Sequence, residues 1–392
     1  MNKIYNIVWN ESSGMWVVTS ELTRKGGQRH RKIKKTMLAG LIAGLILPTM
    51  PTMAQMYNDQ TLEADDPTME LSAGDTANNT IINGGAQIIF NGGTASTTLI
   101  NEGYQEVSSG GSAIDTTIEG GMQTVFDGGI VSGTIINGGE QYISSGGSAI
   151  NTILDGYQTV FNGGNATNTT INGGFQEVSS GGSATSTTIN GGFQEVSSGG
   201  SATSTTINGG FQEVSSGGSA TSTTINGGFQ TLYDSSIASG TIINGGFQII
   251  SSGGISTDTT INTSGIQSIS SGGSATATTI NSGGWQEISS GGSATETTIN
   301  GGIQWIYDGG SASESSINSG YQVISSGGSV TSTTIYHGGK QSINNAGLAT
   351  GTIISGGEQR VSSGGSAINT TINGGLQTVF GGGNVSGTLI NN

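Results

Sequence analysis

Past its first 54 residues this chain of 392 holds one histidine, one lysine, one arginine and no cysteine, so the side chains able to do chemistry are few. His337 stands next to Tyr336 and three residues before Lys340, a trio of the types that move a proton or hold an anion. No second partner for acid–base work is near in sequence, and His337 is expected to be a solvated turn residue. Zinc sites and nucleophilic triads need the His and Cys that are missing. Acids are more numerous. Only Glu11 and Glu21 of the 25 precede residue 55, so the rest of the chain has 25 − 2 = 23 acids against two cations, a balance of 2 − 23 = −21. A surface that acidic cannot neutralise phosphates, and nucleic-acid binding is not expected. Most acids recur by repetition, as Glu177, Glu195 and Glu213 do, instead of converging with Arg or Lys as a lyase or hydrolase requires. No catalytic, cofactor-binding or metal-binding residue is expected, and the chain reads as a non-enzyme. The alternative, a glycan-binding or glycan-active protein, would place its cleft where the repeat is irregular, near Thr263, Asn281 and Tyr336.

The elements that position these residues follow from one repeated unit. From Asn172 to Ile225 the eighteen residues NGGFQEVSSGGSATSTTI are written three times without a change. A Gln recurs in the same slot seventeen times, from Gln87 to Gln377, nearly always at a spacing of 18. An Ile lies five residues before each Gln, or six where a residue is inserted. Val, Ile or Leu follows at plus two, and Ala or Val at plus eight except for Ser256. A period near 20 marks units that cannot bury their own apolar side and stack to do so. Alternation within TTI and FQEV, with GG and SSGG between, reads as short strands joined by glycine turns. The expected fold is therefore all-β, a right-handed parallel β-helix of about 17 coils of 18–19 residues. At about 4.8 Å per coil it makes a rod ~80 Å long. All three prolines fall at or before Pro67, which suits strands paired on both edges.

Period two within each strand sorts the faces. The inward ladder is expected to hold Ile189, Ile207, Val196, Val214 and, on the same parity, Gln176, Gln194 and Gln212, whose amides can bond to the copies above and below. Thr187 should likewise stack inward. Phe175, Phe193, Phe211, Phe229 and Phe247 fall on the other parity, continued by Trp285 and Tyr321. That column is either an external contact face or, if the double glycine forms a bulge, a row of rings tucked inward. One residue of slippage reverses the answer.

The N-terminus reads as an address. A basic cluster from Lys25 to Lys35, an apolar run from Met37 to Leu47 and small residues up to Ala54 make a secretory signal peptide, with cleavage expected between Ala54 and Gln55. The apolar run is too short for a membrane span, which takes roughly 20 residues. Residues 1–54 are thus an extended signal peptide, 55–78 a mature lead-in or cap, and 79–392 a β-helical repeat domain ending in mid-repeat. Met1, Asn2, Lys3, Trp9, Trp16, Val17, Val18, Glu21 and Leu22 resemble the extended signal-peptide region of Gram-negative type V secretion.

The repeat GGFQEVSSGGSATSTTIN resembles that of the AIDA-type self-associating autotransporter adhesins, the antigen 43 group, over residues 79–392. The resemblance implies a β-helical passenger on the bacterial cell surface that mediates autoaggregation, biofilm formation and attachment to host cells. Its implied partners are like passengers on neighbouring cells, a host-surface receptor, and a heptosyltransferase acting on Ser and Thr such as Ser186, Thr188, Ser197 and Ser198. Members of the group reach the outer membrane through a translocator barrel. None is expected within these 392 residues, so the chain is read as a fragment, a truncated product or a passenger with a separate barrel.

Overall fold

A computed structural model describes residues 5–10, 15–20 and 53–391. The two short segments form a hairpin, strand β1 (Tyr5–Asn10) antiparallel to β2 (Met15–Ser20), with Trp9 opposite Trp16. Apart from Met53 and Ala54, the remainder of the signal region lies outside the described residues.

Residues from Met56 onward wind into a parallel β-solenoid. Each regular coil has three short strands, and each strand pairs in parallel with its copy one coil away. In the invariant region Ser183–Thr185 pairs with Ser201–Thr203, Thr188–Ile189 with Thr206–Ile207, and Phe193–Val196 with Phe211–Val214. Like residues therefore stand on like residues, which the eighteen-residue period demands. The columns of Ile, Val and Ala close the interior: Ile189, Ile207, Val196 and Val214 have no exposed surface, and neither has Ala202. Burying each large side chain contributes roughly 1.5–3 kcal/mol. From Val178 on the buried apolar residues form two separate clusters along the stacked coils, the Ile column in one and the Val and Ala columns in the other.

The corners explain the rest of the unit. At Ser179–Gly182 the Gly182 N–H donates to the Ser179 carbonyl at 2.8 Å. The central residues, Ser180 and Gly181, have φ of 48° and 79°, as a type I′ turn requires. Gly182 is needed for space, because a Cβ there would lie 2.1 Å from the Val160 carbonyl oxygen. Ser186, with φ 59°, breaks the strand alternation. As a result Ala184 and Thr187, three apart, both point inward.

Two expectations are corrected. Within the stretch 55–78, expected to be a lead-in or cap, Met56–Asn58, Thr61–Glu63 and Met69–Leu71 form a full coil in register with Thr76–Ile89. Leu62 takes the Ile slot, Leu71 the Val slot and Met69 the Gln slot. The substitutions hide the coil from a search for Gln, and with a final partial coil through Ile390 the total is nineteen, not 17. Second, Ile153 lies five before Gln158 but is 41% exposed, and Leu154 takes the buried slot opposite Ile136 and Ile171. The residue missing from that 17-residue coil is lost at the corner after Leu154, leaving the strand itself intact.

Candidate functional site

The strand FQEV has two faces with separate tasks. On the inner one, each Gln Nε2 donates to the Gln Oε1 of the coil before it. The chain of amides runs unbroken from Gln87 to Gln377 at 2.5–2.7 Å. Buried threonines fill the remaining valences: Thr187 Oγ1 donates to Gln176 Oε1 at 3.4 Å and accepts from Gln194 Nε2 at 3.2 Å. Met69 ends the ladder, its sulfur accepting from Gln87 Nε2 at 3.3 Å. Ser256, which breaks the Ala column, donates to Gln248 Oε1 at 3.2 Å. Among the described residues, Ser236 Oγ is the single buried side-chain polar atom without a protein partner. Such completeness is what a buried polar column needs to avoid a desolvation cost.

The outer face bears the aromatic column. Tyr157, Phe175, Phe193, Phe211, Phe229 and Phe247 stack coil on coil with ring centroids 5.1–6.3 Å apart. The rings point outward: Phe211 is 48% exposed and Phe175, Phe193 and Phe229 are half-buried by one another. The inward-tucked arrangement does not occur, because the corner glycine takes the inward position; a Cβ on Gly192 would meet the Gly174 carbonyl at 2.3 Å. A shallow groove runs between these corner glycines and the rings.

Beyond Phe247 the column changes. Ile266 and Ile303 flank Trp285, which meets Trp305 edge-on at 5.6 Å. Tyr321 is 46% exposed and has Lys340 Nζ 5.5 Å from its ring centroid.

Two residues along from the rings, Glu177, Glu195 and Glu213 form a column of their own. Burial, and then the charges of Glu213 and Glu177, push the Glu195 carboxyl up from its ordinary value. Ser179 Oγ donates to Glu177 at 3.1 Å, and the Tyr233 hydroxyl donates to Glu213, which with burial raises the tyrosine. Further along, Arg360 Nε bonds Glu358 at 2.6 Å and holds that carboxyl below its ordinary value.

His337 and Tyr336 are exposed at a corner, while Lys340 turns to Tyr321, so the structure does not bring the trio together. Among the described residues no three His, Cys, Asp or Glu side chains gather to hold a metal. Ala54 and Gln55 are both exposed, and the Gln55 N–H donates to Asp75 at 2.6 Å. One feature escaped sequence reasoning: an external amide ladder from Asn172 to Asn281, each Nδ2 donating to the preceding Oδ1 at 2.8–3.0 Å. Its signal was the Asn of the recurring NGG.

Residues 1–48 match the family model for the extended signal peptide of the type V secretion system. The chain is 63% identical over 89 residues to the autotransporter adhesin/invasin TibA of Escherichia coli O78:H11, and 64% identical over 87 residues to the autotransporter CRAC of Citrobacter rodentium. Each match covers 22% of this chain, but only 9% of TibA and 6% of CRAC, so the chain spans a small part of the curated relatives it matches. The crystal structure of a TibC-catalyzed hyper-glycosylated TibA fragment is 39% identical, over 86% of this chain and 97% of that one, with a TM-score of 0.35. A type V leader ahead of a parallel β-solenoid defines a passenger exported to the bacterial cell surface. Within that class, the chain is similar to the autotransporter adhesin/invasin TibA and the autotransporter CRAC over the stretch that they share.

Proposed function

We propose that the solenoid is the adhesive passenger of a surface autotransporter, acting through its lateral face in autoaggregation, biofilm formation and attachment to host cells. The observation that carries this reading is the outward aromatic stripe from Tyr157 to Phe247, exposed along the flank of a rod whose interior amide ladder is satisfied. Extended exposed apolar surface of this kind marks contact sites. Many weak contacts repeated at the coil spacing give avidity without a deep pocket. The partners are like passengers on neighbouring cells and a host-surface receptor. Non-enzymatic action accords with titratable groups that recur in columns instead of meeting in a cleft.

Glycosyl transfer to Ser and Thr is part of the same reading. Of the hydroxyls singled out above, Ser186 and Ser198 are exposed and open to a heptosyltransferase, Thr188 is half-buried, and Ser197 is buried. A second reading, glycan binding, is favoured by one observation: Trp305, Tyr307, Glu287 and Asn344 line a shallow groove with an exposed ring.

The test displays residues 55–392 on cells through a fused translocator barrel and follows settling. Phe175, Phe193 and Phe211 replaced together by Ser should abolish clumping while surface level is unchanged. Undiminished settling would overturn the lateral-face reading. Settling blocked by a free sugar and by Trp305→Ser, with the Phe variant unaffected, would favour the second.

A further inference from the structure

The outer face of the glutamine strands has two aromatic patches that differ in charge. The patch around Tyr321 supplies its own cations: Lys340 sits over the ring and Arg360 follows one coil later. The Tyr157–Phe247 stripe has none, since no Lys or Arg occurs between residues 55 and 339. Beside the stripe Glu177, Glu195 and Glu213 stand at the coil repeat, about 4.8 Å; among the described residues no cation pairs with them, and their side-chain donors are hydroxyls, Ser179 on Glu177 and Tyr233 on Glu213. Burial first, and then the charges of Glu213 and Glu177, push the Glu195 carboxyl up from its ordinary value. On the other side of the rings lies the groove floored by Gly173, Gly174, Gly191 and Gly192.

Three features thus run parallel to the rod axis: a glycine-floored groove, a stack of six rings and a row of uncompensated carboxylates. Stacked rings offer dispersion and cation–π attraction to a flat ligand, and the acid row adds Coulomb attraction of one sign. Five coil steps give the stripe a length of ~24 Å, so an elongated molecule can lie along it over six stacked strands.

We propose that the Tyr157–Phe247 stripe is a binding site for flat, positively charged aromatic molecules, held lengthwise between the corner glycines and the Glu177–Glu195–Glu213 column. The site needs no second cell and no glycan, and stands independently of the adhesive reading.

The probe is thioflavin T, a planar aromatic cation, titrated into the full chain with fluorescence as the readout. A saturable rise is expected. It weakens severalfold on raising salt from low to physiological strength. Phe193→Ser with Phe211→Ser should remove it, and Glu177→Gln, Glu195→Gln and Glu213→Gln together should loosen binding about tenfold, whereas Trp305→Ser leaves it unchanged. The three Gln variants keep the shape of the outer face, so they test the site even if the Phe variant loses its β-sheet circular dichroism. Absence of a saturable rise, a signal that follows Trp305 instead of the stripe, or equal binding of the anionic dye 1-anilinonaphthalene-8-sulfonate, would overturn the proposal.

Discussion

The inner and outer faces of the glutamine strand are made from the same four residues and behave oppositely along the rod. Inward, the Gln slot is filled by Gln from Gln87 to Gln377 and by Met69 before them, and its neighbour is always Val, Ile or Leu. Outward, the ring column passes from Phe247 through Ile266, Trp285, Ile303, Tyr321 and Lys340 to Glu358. An inner residue meets identical copies above and below, so a change there strands two neighbours at once. An outer residue meets solvent on its free side and can change coil by coil. The constant face therefore sets the fold, and the variable face is where recognition can be written without disturbing it.

If that contrast holds, inner substitutions should dominate stability. Ile207→Ala opens a cavity between Ile189 and Ile225, all three with no exposed surface. It should cost about 4 kcal/mol, read as a lowered urea midpoint. Gln194→Leu comes next. It leaves the Gln212 Nε2 and the Gln176 Oε1 without their amide partners, now at 2.7 Å, a loss of about 2–3 kcal/mol. Gln194→Met should cost less than Gln194→Leu, because the Met69 sulfur already accepts from a ladder amide. Equal losses for Met and Leu would mean that the slot responds to shape and not to hydrogen bonding.

The same contrast explains what could be read from the sequence. Columns stacked at a constant period repeat the same side chain, so periodicity alone reveals Gln176, Gln194, Ile189 and Val196 as inward. Where a coil varies, the signal fails. The coil at Met56–Leu71 has Met69 in the Gln slot and no double glycine, and the short coil at Gln158 shifts its buried residue from Ile153 to Leu154. The direction of the Phe column was undecidable from pattern, since it depends on whether Gly192 or the ring takes the inward position, a matter of a 2.3 Å clash. The Asn172–Asn281 ladder was hidden for another reason: Asn at a turn is expected from its backbone preference, and that expectation masks a side-chain role.

A smaller effect sharpens the outer half of the comparison. The Glu195 carboxyl is raised in the folded chain by burial and by Glu213 and Glu177. The folded state then binds the proton more readily than the unfolded one, so stability falls as pH climbs from the ordinary carboxylate value to the raised one, and the penalty is complete at neutral pH. Glu195→Gln should slightly raise the melting temperature at pH 7. The gain should vanish once the pH is below the carboxylate range; a gain that persists in acid would point to packing, not charge.

The smallest effect is expected from the largest change. Removing residues 190–207 joins Ile189 to Asn208 and restores the unit without a seam, because the deleted segment is one full copy of the repeat. Every inner column then keeps its neighbour types: Ile189 meets Ile225, Gln176 bonds Gln212, and the Phe and Asn columns close up as well. In an array whose stability is a sum of unit and nearest-neighbour terms, losing one of nineteen coils leaves each remaining interface as it was. The melting temperature should stay within about a degree, and solution scattering should register a rod ~4.8 Å shorter. Removing residues 190–198, half a copy, is the control. It joins Ile189 to Gly199 and deletes the Gln194 strand, so Gln212 Nε2 loses its acceptor and several coils should lose register. If the two deletions melt alike, the stability of the rod does not reside in its stacked columns, and the separation of a structural inner face from a free outer one fails with it.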